Sequence, residues 1–192
     1  SPLLNRLSDD RINLSKYTIK IDHHFDNEKY TDYEYVDFNS ISCTQIITEF
    51  YMKFKNELIM SKDAATALYT GLLTDSGHFK YANVDYKTFL IASELTKHDV
   101  NIVDVNNKLM IEEEAVLRLK GYCLNKFKVT KNGFAYLTLT KKEIEDFNIS
   151  LEKASSLVTI ISNIDRCPIW GLFIEDGNNI RIRLRSRGPA IN

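Results

Sequence analysis

An acid and two histidines, Asp22, His23 and His24, have the greatest chemical potential in the chain, and they follow a short alternating apolar run. Ile19 and Ile21 supply the apolar positions of that run, and their spacing is typical of a β-strand. Helical patterns follow it, which favours a parallel, central strand. In an open α/β sheet the ligand crevice lies just past the carboxyl ends of the strands, so the triplet would stand at that crevice.

This triplet has the donor chemistry of a divalent metal site. Neutral imidazole and carboxylate oxygen suit Mn²⁺ or Mg²⁺ better than thiolate does. Neighbouring residues of a strand point to opposite faces, so we expect His23 and His24 to have different roles rather than to bind one ion together. A solvated surface turn is the alternative interpretation of the triplet.

A second acid, Asp75, follows an apolar helical segment and precedes Ser76 and Gly77. The negative end of the helix dipole disfavours a carboxylate there, which favours a nearby cation over a purely structural role. A simple helix C-terminal turn broken by Gly77 is the alternative. His78 is close enough along the chain to reach the same crevice, whereas His98 is interpreted as a structural residue at a helix end.

The third cluster is a row of arginines at alternate positions, Arg181, Arg183, Arg185 and Arg187. An extended strand would place all four on one face. Arginines near a strand end can clamp a phosphate, whereas arginines along an edge strand can simply protect it from pairing. We favour phosphate binding for Arg185 and Arg187, which flank Ser186, and the protective role for the other two.

The elements that must position these residues indicate an α/β protein in two parts. Ser42, Ser61 and Asp85 are predicted helix N-caps, and 101–124 is predicted as further helix. Beyond about residue 125 the residue pattern is typical of β-strands. It predicts two hairpins, with turns around 131–133 and 176–179. Helices are predicted between them at 141–147 and 151–162. We therefore expect a parallel-sheet domain over 1–107, a helical linker over 108–125, and a smaller α+β domain over 126–192.

The overall composition excludes few functions, but it narrows the class of protein. The chain has 192 residues and a net charge of −1, so no large field of one sign indicates nucleic acid or membrane. Its three cysteines, Cys43, Cys123 and Cys167, have no metal-ligand spacing and are interpreted as buried free thiols of a reducing cytoplasm. No signal peptide or bilayer-spanning apolar run is present in the sequence.

Three motifs in order resemble the DHH phosphoesterase family: the Asp22-His23-His24 triplet, the segment 69–77 with Thr74-Asp75-Ser76-Gly77, and the segment 184–188. The second part of the chain resembles the DHH-associated substrate-binding domain, and the similarity covers nearly the whole sequence. The nearest group is the bacterial nano-RNases and phosphoadenosine-phosphate phosphatases. The resemblance implies a partial DHH domain followed by a partial DHH-associated domain.

The resemblance also implies a role for each site residue. His23 and Asp75 would be metal ligands of a centre of two ions, usually Mn²⁺, between the two domains. His24 would face the scissile phosphate, and Asp22 would support it. Arg185, Ser186 and Arg187 would hold substrate phosphate or nucleotide, with His78 as a further phosphate contact where many relatives have arginine. The implied chemistry is metal-assisted hydrolysis of a phosphate ester.

Several motifs of the family are not in this sequence, among them the His-x-x-x-Asp-x-Asp segment that supplies three metal ligands. His23 and Asp75 alone cannot complete two octahedral sites. Because the chain also opens with Ser1-Pro2 rather than Met, we expect it to be part of a longer enzyme and nearly inactive by itself.

Three functions remain open at the level of the sequence. The leading one is hydrolysis of short oligoribonucleotides, of 3′-phosphoadenosine 5′-phosphate, or of both, with two Mn²⁺ or Mg²⁺ ions. The second is a phosphodiesterase for linear or cyclic dinucleotides, and the third is a nucleotide-binding module without metal. The expected partner is a nucleotide or short RNA in the cytoplasm and not a membrane, and a homodimer is left open.

Overall fold

The computed structural model of the chain describes residues 15–25 and 29–188. It divides into two compact units, Ser1–Met110 and Ile111–Asn192. The predicted loop or short helix over 1–17 lies outside the described residues except for 15–17, which are irregular.

Over residues 15–25 and 29–110, the first unit has two strands and four helices: β1 (Ile19–Asp22), β2 (Tyr33–Val36), α1 (Cys43–Lys53), α2 (Lys62–Asp75), α3 (Tyr86–Thr96) and α4 (Ile102–Met110). Strands β1 and β2 pair in parallel, so the predicted parallel sheet is confirmed. Within the described part of the chain β2 is the one neighbour of β1, so a central position for β1 is not seen there. The side chain of Lys20 is buried, whereas Ile19 and Ile21 on the opposite face are exposed.

The predicted helix caps are confirmed in detail. The hydroxyl of Ser42 accepts from the backbone amide of Gln45, and Ser61 does the same for Ala64. Asp85 caps α3 through a reciprocal capping box. These caps satisfy backbone donors that have no partner inside a helix. They fix where each helix begins, and the buried faces of α2 and α3 then form the core of the unit, with Leu72 and Leu95 fully buried.

The second unit is built on a mixed sheet of order β3-β4-β5-β6, in which β4 and β5 are parallel and the other pairs antiparallel. Its elements are α5 (Glu114–Lys126), β3 (Lys128–Val129), β4 (Phe134–Leu139), α6 (Lys141–Asp146), α7 (Leu151–Ser156), a 3₁₀ segment (Leu157–Ile161), β5 (Ile169–Asp176) and β6 (Asn179–Ser186). Both predicted hairpin turns are present, with Gly133 and Gly177 at positive φ. No helix among the described residues of either unit has the length and apolar character needed to cross a membrane.

The segment expected as a helical linker is divided by the structure. Helix α4 ends at Met110, residues 111–113 interrupt the helix, and α5 then begins the second unit. Leu119 and Cys123, four residues apart on one face of α5, are fully buried in the core of the second unit. Because this face is apolar at helical spacing, α5 is a core helix of that unit rather than a separate linker.

Burial of the cysteines also differs from the expectation at one position. All three are free thiols; Cys123 and Cys167 are buried as predicted, whereas Cys43 is half-buried. Burial raises the pKa of the Cys123 thiol to about 11, so this cysteine stays protonated at neutral pH.

One carboxylate, Glu143 of α6, joins two helices of the second unit. It accepts hydrogen bonds from the Tyr122 hydroxyl and the Lys126 ammonium of α5, and from the backbone amide of Thr140 at 2.7 Å. Burial acts to raise its pKa, but the bonds from Lys126, Thr140 and Tyr122 outweigh this effect and lower the pKa to about 2. The charged form therefore ties α6 to α5.

We predict that Glu143→Gln lowers the free energy of unfolding by about 1–2 kcal/mol at pH 7, since charge-assisted hydrogen bonds at a partly exposed site are lost. The pKa of Glu143 is lower in the folded state than in the unfolded state. Its stabilising contribution is therefore present above about pH 4.5 and is lost as the pH falls towards 2. Urea unfolding at pH 7 and pH 3, followed by the fluorescence of the single tryptophan, Trp170, measures both effects.

The matched control is Glu145→Gln in the same helix, where the carboxylate is exposed and lies 3.6 Å from Lys141. It should change stability by only a few tenths of a kcal/mol. A Glu143→Gln protein whose deficit relative to the original chain stays constant from pH 7 to pH 3 would contradict the assigned role.

Candidate active site

The imidazole of His23 and the carboxylate of Asp75 approach each other at the edge of the first unit. His23 Nε2 lies 3.9 Å from Asp75 Oδ2, with the histidine mostly buried and the acid about half-exposed. His23 follows the last residue of β1, and Asp75 is the last residue of α2. The structure thus brings together the two residues that the family resemblance assigns to a metal.

The separation of these two atoms fits a shared cation. Nitrogen and oxygen ligands lie about 2.1 Å from a divalent cation such as Mg²⁺ or Mn²⁺. Two ligands of one ion can therefore be up to about 4.2 Å apart. Among residues 15–25 and 29–188, no group of three or more His, Cys, Asp or Glu side chains is arranged to hold a metal. The pair is therefore a partial donor set, to which a complete coordination shell must add further ligands.

Asp22 and His24 form a second, tighter pair. His24 Nδ1 lies 2.8 Å from Asp22 Oδ1, and the same oxygen accepts from the backbone amides of His23 and His24 at 2.7 and 3.0 Å. Burial acts to raise the pKa of Asp22, but these bonds, with the His24 side chain first, outweigh it and lower the pKa. An ionised Asp22 accepts only, so Nδ1 carries the proton and Nε2 of the exposed ring is directed away from the acid.

The two histidines differ in their partners but not in the way the strand pattern suggested. Their rings lie side by side, with centroids 4.1 Å apart and planes tilted by 57°, rather than on opposite faces of a strand. The reason is that β1 ends at Asp22, so strand alternation does not extend to residues 23 and 24. Their separation into two roles comes from Asp75 facing His23 and Asp22 facing His24.

A tight turn after α2 fixes the position of Asp75. Ser76 is fully buried; its hydroxyl donates to the carbonyl of Leu73 at 3.2 Å and accepts from the amide of Phe79 at 3.1 Å. Gly77 has a φ of 58°, and a Cβ there would lie 2.5 Å from the ring of Tyr81. The predicted helix break at Gly77 is thus confirmed, and the turn holds the carboxylate at the helix end.

The structure does not test the predicted phosphate contact of His78. The residue has a positive φ of 58°, and its backbone amide donates to the carbonyl of Leu73 at 2.8 Å. Within the described ranges its half-buried imidazole makes no hydrogen bond or ion pair with His23 or Asp75. His98, interpreted as structural, contacts Tyr51 of α1 through Nε2 at 3.4 Å.

Sequence reasoning missed the place of Cys43 in this site. Its thiol lies 3.6 Å from the carbonyl oxygen of Ile21 and 3.9 Å from Asp22 Oδ1. Burial raises the pKa of Cys43, and the negative charges of Asp22 and Asp75 raise it further. The one signal in the sequence is that Cys43 directly follows the N-cap Ser42 and therefore lies in the first turn of α1. The fold places this turn beside the end of β1.

The arginine row belongs to the second unit, and its members have different surroundings. Arg181 forms an ion pair with Asp176 at 3.0 Å. Arg187 lies beyond the end of β6, and its guanidinium donates to the carbonyls of Ile164 and Cys167 at 2.9 and 3.4 Å. Arg185 is exposed, and among residues 15–25 and 29–188 its guanidinium donates to the carbonyl of Leu184, at 2.8 Å.

Strand register defines the face that these arginines share. Arg185 pairs with Trp170 and Arg183 with Leu172, whose side chains belong to the core face of the sheet. Strand alternation thus places Arg181, Arg183 and Arg185 on one face of β6, whereas Arg187 lies after the end of the strand. Ser186 pairs with Ile169 as the last residue of β6. Phosphate binding at 185–187 stays a prediction, with Arg187 already engaged by backbone carbonyls.

Comparison with known proteins gives clear relatives. The chain is 36% identical over 188 residues to a probable bifunctional oligoribonuclease and PAP phosphatase NrnA of Streptococcus mutans. It is 31% identical over 188 residues to the bifunctional oligoribonuclease and PAP phosphatase NrnA of Bacillus subtilis. Each alignment covers 97% of this chain and 60% of the relative, so the chain spans about three fifths of these proteins. A scan against models of protein families finds no match.

The fold has a solved counterpart. An exopolyphosphatase-related protein from Bacteroides fragilis superposes with a TM-score of 0.80 at 30% identity, over 88% of this chain and 51% of that one. The resemblance to the DHH phosphoesterases is confirmed. The predicted fold class, an α/β unit with a parallel sheet and a smaller α+β unit, is confirmed with it.

A close crossing of α1 and α2 sets the position of Asp75 relative to β1. A Cβ on Gly71 of α2 would lie 2.5 Å from Thr44 Cγ2 of α1. Thr44 is β-branched and its hydroxyl is bonded to that of Ser42 at 2.8 Å, so it cannot easily turn away.

We predict that Gly71→Ala lowers the free energy of unfolding by about 1–3 kcal/mol, because the added methyl forces the two helices apart. The matched control is Gly121→Ala in α5, where no atom lies within 4 Å of the added Cβ. That change should stabilise the chain by roughly 0.5–1 kcal/mol, since alanine favours the helix. Urea unfolding followed by circular dichroism compares them; equal effects of the two substitutions would show that the crossing is not tight.

Proposed function

We propose that the full-length protein to which this chain corresponds is a metal-dependent phosphoesterase. Its substrates would be short oligoribonucleotides, 3′-phosphoadenosine 5′-phosphate, or both. The observation that carries the proposal is the 3.9 Å approach of His23 Nε2 to Asp75 Oδ2 at the end of β1. The names of the two NrnA relatives support the reaction class and the substrates.

The candidate site residues of the first unit have different roles in this proposal. His23 and Asp75 hold a divalent cation, Mn²⁺ or Mg²⁺, as part of a centre of two ions. When bound, the cation would supply a water of lowered pKa and positive charge to offset the negative charge of the phosphate. Asp22 fixes the ring of His24 through Nδ1, and the doubly protonated ring would donate from Nε2 to a phosphate oxygen as negative charge develops on that oxygen.

In the second unit, Arg185 is the residue that we expect to contact a phosphate of the substrate. This guanidinium is exposed, and its one hydrogen bond among the described residues is to its own strand. Arginine offers two parallel donors to a phosphate, which favours it for such contacts. Arg187 acts chiefly by holding the chain at Ile164 and Cys167, and Ser186 and His78 are further candidates for phosphate contact. We also propose a cytoplasmic location, which free thiols suit.

We predict that His23→Ala and Asp75→Ala, each in the full-length protein, abolish hydrolysis of dinucleotides and of phosphoadenosine phosphate. Each removes a donor to the cation, so calorimetric titration should also show weakened Mn²⁺ binding. The control is Asp63→Ala, which removes an acid from the opposite end of α2 and should keep both properties.

The result that would sink the proposal is full activity of Asp75→Ala with unchanged Mn²⁺ binding. Preference of the unmodified protein for long RNA over dinucleotides would remove the short-substrate specificity. A protein that binds nucleotides but hydrolyses none of these substrates would instead support a binding module.

We predict that Arg185→Ala raises KM by about 10- to 100-fold with a small change in kcat, as expected for the loss of a charged hydrogen bond of about 1.5–3 kcal/mol. Arg183→Ala, one exposed arginine earlier in β6, is the control and should leave KM unchanged. Steady-state kinetics on a dinucleotide measures both variants. Equal KM values for Arg185→Ala and Arg183→Ala would exclude a specific phosphate contact at Arg185.

A further inference from the structure

Two phenylalanines form an exposed aromatic pair beside the candidate active site. The rings of Phe25 and Phe38 lie 5.3 Å apart between centroids and are tilted by 46°. They remain 80% and 54% exposed, although they contact each other. Phe25 directly follows His24 beyond β1, and Phe38 lies just beyond the end of β2. The pair therefore lies at the carboxyl edge of the parallel strands.

The turn that carries Phe38 is held firmly. The backbone amide of Asp37 donates to the carbonyl of Asp22 at 3.0 Å, which joins the ends of the two strands. The Asp37 carboxylate accepts from the amide of Asn39 at 3.0 Å and from the hydroxyl of Ser40 at 2.8 Å. These bonds, with that of Asn39 first, lower the pKa of Asp37. Phe38 is thus presented to solvent by an ordered turn.

We propose that Phe25 and Phe38 are a stacking platform for the nucleobase adjacent to the scissile phosphate. The inference rests on the proposed function and deepens it, because it names the part of the substrate that these residues recognise. In a nucleotide the base is one sugar away from its phosphate. Consecutive Cα atoms are about 3.8 Å apart, so Phe25 begins within reach of a base whose phosphate contacts His24.

The electrostatics of this edge favour an uncharged group at the pair. Asp22, Asp37 and Asp75 place three carboxylates near the strand ends, and they would repel a second phosphate that lacks a cation. A nucleobase is neutral and offers a flat face to an aromatic ring. Aromatic side chains stack bases with little regard to sequence, because every base has a π-face.

A preference for nucleotide substrates follows from such a platform. A cation held by His23 and Asp75, and the imidazole of His24, can contact any phosphate ester, because they recognise only the negative charge of the phosphate. The two rings add affinity only when a base lies next to the reacting phosphate. The pair would therefore select nucleotides of any sequence over sugar phosphates and inorganic phosphate chains.

The test uses full-length protein and two dinucleotide ligands, one with 2-aminopurine at each base position and one abasic at both. Equilibrium binding is measured with a chelator that removes divalent cations, so that neither ligand is hydrolysed; it is followed by fluorescence quenching for the first ligand and by calorimetry for both. The unmodified protein should bind the base-containing ligand more tightly and quench it. Phe25→Ala and Phe38→Ala should each raise its Kd about tenfold and reduce the quenching, with the Kd of the abasic ligand unchanged.

Phe25→Tyr keeps an aromatic face and should retain tight binding, which separates stacking from a folding defect. The matched control is Phe50→Ala: Phe50 is 56% exposed and lies 4.7 Å from Phe54 in a similar ring pair on α1. It should change neither Kd. Equal affinity of the unmodified protein for both ligands, or equal losses for both in Phe25→Ala, would overturn the proposal. Because binding is measured without turnover, these outcomes are distinct from a failure of hydrolysis.

Discussion

The approach of the His23 imidazole to the Asp75 carboxylate is the constraint on which the candidate site in the first unit depends. Neither side chain is placed by its own local sequence alone. His23 takes its position from the end of β1, which the bond between Asp22 and Asp37 ties to β2. Asp75 takes its position from the end of α2, which the close contact of Gly71 with Thr44 holds against α1. A cation between them would therefore bind to a geometry that packing has already set.

The two acids at this edge differ in how the protein itself stabilises them. Asp22 accepts three hydrogen bonds from His23 and His24 and lies near the first turn of α1, where the helix dipole favours negative charge. Asp75 lies at the last residue of α2, where the dipole is unfavourable, and its described ionic neighbour is the imidazole of His23 at 3.9 Å. An acid that its own helix disfavours gains most from a bound cation. The two acids near the end of β1 therefore differ: the protein's own hydrogen bonds stabilise Asp22, whereas Asp75 has few such partners among the described residues.

Local sequence signals predicted much of the fold, because local physics decides those features. The caps at Ser42, Ser61 and Asp85 and the glycine turns of both hairpins depend on a few neighbouring atoms. The predictions that failed depend on tertiary contacts. Strand alternation could not place the histidine rings, since it stops where β1 stops. The burial of α5 in the second core and the continuation of α7 as a 3₁₀ segment follow from packing that no short window contains.

The candidate site shows the same division between local and long-range information. Family motifs pointed to His23 and Asp75 but not to Cys43, whose thiol reaches Asp22 only because α1 starts beside the end of β1. They also treated Arg185 and Arg187 alike, whereas backbone carbonyls of a distant loop engage Arg187 and leave Arg185 exposed. A motif specifies which chemistry is needed, and the fold decides which members of it are available. Phe25 and Phe38 illustrate the converse: they belong to none of the three family motifs, and only the fold brings their exposed rings together beside His24.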